Sequence, residues 1–163
     1  MNGSRNISAF LAVSIHERAD SMRHGVGMHM SLVGKLHPLL VHFPIALVLA
    51  SAGAEFVAIR TQRASWRAIA VGNLRAGATM AVLALIAGWV LATAPFVDST
   101  PGLVAHRWAG VAAVAVTVGA ALVSRMPDDD SSRSAWLYRG ALFAAAALMA
   151  IAGHLGAKMV WGI

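Results

Sequence analysis

Residues 37–59 read HPLLVHFPIALVLASAGAEFVAI. From Pro38 to Ile59 this stretch holds a single charged residue, Glu55, and a single histidine, His42. A helix that crosses the hydrocarbon core of a bilayer needs about 20 mostly apolar residues, and this segment has that length. Three further segments qualify on the same ground: roughly Ala76 to Val97, Pro101 to Val123 and Trp136 to Val160. Small residues are dense in all four, as in Ala144–Ala147, Gly110 and Gly119, and small residues let membrane helices approach closely. There is no strand-like alternation long enough for a barrel and no internal repeat. The expected fold is all-α, an integral membrane four-helix bundle over residues 35–163, preceded by an extramembrane N-terminal segment over residues 1–34.

Composition points the same way. The chain is 58% apolar and 12% charged, whereas a soluble domain is nearer half apolar and a quarter charged. The surplus apolar surface needs lipid rather than water, so the bilayer is the first partner. There is no cysteine, which excludes disulfides, thiolate zinc sites, iron–sulfur clusters and covalent haem attachment within the chain. The net charge of +6 does not imply nucleic acid, because the arginines lie between apolar runs and form no basic face with interleaved aromatics.

Those arginines set an orientation. Arg60, Arg63, Arg67 and Arg75 lie between the first two segments, and Arg125 and Arg133 between the last two, with Arg139 just inside the fourth. The opposite side has Arg107 and Lys158. The positive-inside rule places the arginine-rich loops in the cytoplasm. The chain is then a multi-pass protein of the bacterial inner membrane with both termini periplasmic. The acidic run Asp128–Asp130 weighs little in that rule. Arg5, Arg18, Arg23 and Lys35 sit on the outer side against it, and Met22, Met28 and Met30 are alternative starts. Pro38 and Pro101 suit first helical positions, and Ser99 or Thr100 can cap the third helix. Pro44 should bend the first helix by removing the donor to the Leu40 carbonyl.

With alternating helix directions, His42 early in the first span, His106 early in the third and His154 late in the fourth share one membrane face. Each lies roughly 6–9 Å deep at ~1.5 Å per residue. Polar side chains at that depth are costly and usually face the bundle interior. Imidazole suits haem iron, copper and zinc. His42, His106 and His154 are therefore expected to converge as a metal or cofactor site, with His37 and Arg107 beside it. Hydrogen bonds across helices are the plain alternative. Glu55, at the other end, is expected to form a structural ion pair near Arg75 and Arg139. Met28-His29-Met30 has the soft ligands of a copper-binding stretch. Trp89, Trp108, Trp136 and Trp161 fit an interfacial aromatic belt.

LHPLLVHFPIALVLA (Leu36–Ala50), HRWAGV (His106–Val111) and GHLGAKMVWG (Gly153–Gly162) resemble the motifs of domain-of-unknown-function family 2231, a set of bacterial membrane proteins. The first carries the pattern HPxxVHFP. The ending departs slightly, with Gly156-Ala157 where two glycines are usual. The resemblance spans residues 35–163 and implies a small four-helix membrane protein. A subgroup occurs beside or fused to periplasmic cytochrome c modules, and this implies electron transfer by analogy.

Three functions compete. The first is a haem b electron carrier with axial histidines on facing helices. Its preferred pair is His42 and His106, His154 is a substitute, and Arg107 or Lys158 would meet propionates. It would work as a redox subunit of a larger membrane complex, between a quinone and a periplasmic cytochrome c or dehydrogenase. The second is a copper- or zinc-binding membrane protein. The third is a cofactor-free anchor or assembly subunit for a periplasmic redox partner.

Overall fold

A computed structural model of the chain describes residues 36–94, 97–125 and 132–162. The 1–34 segment, its Met28-His29-Met30 stretch and the run Asp128–Asp130 lie outside the described residues. The described chain is helical. A short α1 (His37–Leu40) leads into α2 (His42–Thr61), followed by α3 (Ala64–Ala92), α4 (Pro101–Val123) and α5 (Ser132–Trp161). Taken with α1 and α2 as one span, four helices are long and apolar enough to cross a membrane.

Local chemistry sets most of the boundaries. The break at Val41 falls three residues before the buried Pro44, where the proline ring disturbs the preceding turn. The helix axis continues through the break, because Val41 N–H still reaches the His37 carbonyl at 3.0 Å. Gln62 closes α2 in the left-handed region, with φ 54°, and only Gln62 and Arg63 separate α2 from α3. The Thr100 hydroxyl accepts from Leu103 N–H at 3.2 Å and caps α4, whose first residue is Pro101.

The second span differs from the expected Ala76–Val97. Its helix begins twelve residues earlier, at Ala64, and ends at Ala92. The early turns carry Arg67 and Arg75, which a hydropathy reading excludes. In the fold both arginines are partnered, Arg67 by Glu55 and Arg75 by the carbonyl and hydroxyl oxygens of Ser124. The early stop falls shortly before Pro95, which disfavours helix in the residue before it.

The helices pack in a ring, each against its sequence neighbours, with the first span closing on α5. One spacing governs every inner face. The buried positions Pro44, Val48, Ser51, Glu55 and Ala58 of α2 step by four and three. So do Ala70, Leu74, Gly77, Ala81 and Ala84 of α3, and Ala113, Thr117 and Ala120 of α4. On α5 the same steps run through Tyr138, Leu142, Ala145, Met149 and Ala152. A mean step of 3.5 residues is the seam of helices that cross at small angles. Half of these seam side chains are alanine or glycine, which brings the backbones close. Many large apolar residues face outward, among them Leu49, Phe56, Ile86, Leu122 and Ile151. In a membrane-spanning bundle that is the lipid side.

Candidate functional site

Extending each seam toward the end opposite the arginines identifies four residues at one level. From Pro44 the steps lead back through Val41 to His37. From Ala84 the next step is Gly88. From Ala113 they lead back through Gly110 to His106, and from Ala152 forward to Gly156. Two imidazoles and two glycines thus share the inner face at this end.

The glycines are there because the rings need the space. A Cβ on Gly88 would lie 2.6 Å from Cε1 and 2.8 Å from Nδ1 of His37. A Cβ on Gly156 would lie 3.1 Å from Cε1 of His106. Each ring is then fixed by one hydrogen bond to the carbonyl one turn before its glycine. His37 Nδ1 is 2.8 Å from the Ala84 oxygen, and His106 Nδ1 is 3.0 Å from the Ala152 oxygen. The two halves of the bundle, α1–α3 and α4–α5, therefore repeat one local arrangement. The two rings meet edge to face, with centroids 6.2 Å apart and planes at 75°.

A carbonyl oxygen only accepts, so Nδ1 carries the hydrogen in both rings. In the neutral imidazole the lone pair is then on Nε2. Both histidines are held in the tautomer that can ligate a metal or accept a proton through Nε2, with the orienting carbonyl contact usual for metal-bound imidazole. Next to His106, the Arg107 guanidinium sits 4.2 Å from the centroid of Trp89, the neighbour of Gly88.

His42 and His154 do not join this pair. Both are exposed. His42 falls off the Val41–Pro44 seam, and its Nδ1 turns back onto its own helix at the Pro38 oxygen, 2.6 Å away. His154 lies between the seam positions Ala152 and Gly156 and projects on the far side of α5. Equal depth places a residue along the bundle axis, but helical phase decides whether it faces inward, and both fail on phase. Among the described residues no group of three or more His, Cys, Asp or Glu side chains is placed to hold a metal ion. His37, which depth alone left at the margin, is the ring that meets His106.

At the opposite end Glu55 is fully buried. One of its oxygens, Oε1, receives Arg67 Nη2 at 2.9 Å and Arg139 Nε at 3.1 Å. The expected ion pair with Arg139 is present, and Arg67 replaces Arg75 as its second partner. Glu55 Oε2 and the Tyr138 hydroxyl are buried with no hydrogen-bond partner.

No curated protein and no solved structure matches the chain. A family of membrane-protein sequences does match, over the segment that contains the whole bundle and both histidine–glycine contacts. The chain belongs to the family described as "Predicted membrane protein (DUF2231)", which matches residues 34–163.

Proposed function

We propose that this chain is an electron-transfer subunit that holds haem b between His37 and His106. The observation that carries the reading is the pair itself: two inward imidazoles, each oriented through Nδ1–H, each with its Nε2 lone pair available. Two ligands suit an iron whose other four positions a porphyrin fills. They fall short of the four that structural zinc takes. The ring centroids lie 6.2 Å apart, near enough for both rings to reach one metal ion at bonds of ~2.0–2.1 Å once each turns its Nε2 toward it. The two glycines at the same level keep side-chain bulk away from the rings.

When bound, the haem supplies the one-electron carrier that no side chain of this chain provides. The residues do the rest. The Ala84 and Ala152 carbonyls hold the imidazoles in the ligating tautomer. Arg107, braced on Trp89, offers a positive charge to a propionate, and the exposed Lys158 offers a second at the same end. The arginine distribution supports a bacterial inner membrane setting with this end and both termini on the periplasmic side. A quinone and a periplasmic cytochrome c or dehydrogenase are then the exchange partners. Copper is the second reading, because two imidazoles also suit that metal.

The test is the absorption spectrum of the gently solubilised full-length protein, with and without reductant. Wild type, His42→Ala and His154→Ala should show a Soret band. His37→Ala and His106→Ala should lose it while remaining helical. Copper without a Soret band favours the second reading. A colourless, metal-free wild type that still binds its partner refutes both and leaves the cofactor-free anchor.

A further inference from the structure

We propose that the arginine-rich end of the bundle binds the phosphate of a net-anionic lipid headgroup in a cleft between α3, α4 and α5. The cleft has a volume of about 160 Å³ and is lined by Arg67 and Val71, by Ser124, and by Ser134 and Tyr138. That is at least ten times the ~10–15 Å³ that admits one water. Its chemistry is that of an anion site. Arg67 and Arg139 share a single carboxylate oxygen of Glu55, which leaves one positive charge over. Arg75, 3.0 Å from the Ser124 carbonyl on the cleft wall, adds another. Glu55 is the one acidic residue in the sequence of the four spanning helices, and the connection between α4 and α5 carries Asp128, Asp129 and Asp130 beside Arg125 and Arg133.

A second observation points to a ligand. Tyr138 is 5% exposed, lines the cleft, and its hydroxyl has no hydrogen-bond partner. A buried hydroxyl left unpaired costs about 1–3 kcal/mol, a cost that a phosphate oxygen admitted to it would remove. Lipid is the source because of where the cleft lies. Trp66 precedes Arg67 and Trp136 follows Ala135, and both indoles face outward. Such tryptophans sit at headgroup level, and basic pockets between spanning helices at that level take anionic lipid headgroups.

The full-length protein is placed in nanodiscs of phosphatidylcholine, with or without phosphatidylglycerol, and its melting temperature is read by tryptophan fluorescence. Phosphatidylglycerol should raise it by several degrees, and native mass spectrometry should show one retained phosphatidylglycerol. Arg67→Gln should abolish the gain. Because Arg67 also pairs with Glu55, Tyr138→Phe is the second variant: it keeps the ring and should at least halve the gain. Equal stability in both lipids overturns the proposal. Equal protection of lipid-free, detergent-solubilised protein by inorganic phosphate overturns the lipid assignment.

Discussion

Replacing Gly88 by alanine tests whether the His37 seat is real. The added methyl would lie 2.6 Å from Cε1, 2.8 Å from Nδ1 and 3.2 Å from Nε2 of the ring, where carbon atoms prefer about 3.5–4.0 Å. The ring must move by roughly 1 Å to restore that spacing, which breaks the 2.8 Å contact with the Ala84 oxygen. Overpacking costs about 1–3 kcal/mol and a lost hydrogen bond about 0.5–1.5 kcal/mol. Alanine returns up to about 1 kcal/mol of helix propensity. The net expectation is a loss of about 1–3 kcal/mol. Gly72→Ala, where a Cβ meets nothing within 4 Å, is the matched control and should be neutral or slightly stabilising. Unfolding in mixed micelles of mild detergent and dodecyl sulfate measures both. In a His37→Ala background the Gly88→Ala penalty should vanish, giving a coupling on the order of 2 kcal/mol. If Gly88→Ala is as stable as Gly72→Ala, or its cost is unchanged without His37, the seating argument is refuted.

Other perturbations follow from the same geometry. Glu55→Ala strips the carboxylate from two arginines at a fully buried position and should cost about 3–5 kcal/mol in the same unfolding assay. Thr100→Ala removes the cap to Leu103 and should cost about 1 kcal/mol, visible as a lower melting temperature. His42→Leu alters an exposed side chain bonded to its own helix. It should move stability by no more than about 0.5 kcal/mol. Reporter fusions at Gln62, in the first connection, and at Gly102, in the first turn of α4, should report opposite sides of the membrane, with Gln62 inside.

The four spans were legible because composition and length alone identify them, and α4 matched its expected bounds residue for residue. The start of the second span was not, because Arg67 and Arg75 count against a helix in a hydropathy reading and count for one only once Glu55 and Ser124 are known to meet them. The histidine level was legible as a level. Its membership was not, since depth along an axis says nothing of phase around it. The phase signal was nevertheless in the chain. The 3.5-residue stepping through Val48, Pro44 and Val41 leads to His37 and passes over His42, that through Thr117, Ala113 and Gly110 leads to His106, and that through Ala145, Met149 and Ala152 leads to Gly156 and passes over His154. What no spacing could supply is the pairing of each ring with a glycine on another helix, which depends on how the helices are set against one another.

The repeated seat has a consequence for assembly. His37 is fastened within α1–α3 and His106 within α4–α5, so each helical hairpin can enter the bilayer with its imidazole already posed. Neither hairpin owns two of them. The pair arises only where the hairpins meet, and anything that engages both rings at once works as an adhesive across that junction. Its binding free energy adds to the association of the two halves. A chain cut in the connection between α3 and α4 would then rejoin more tightly in the presence of such a ligand than in its absence.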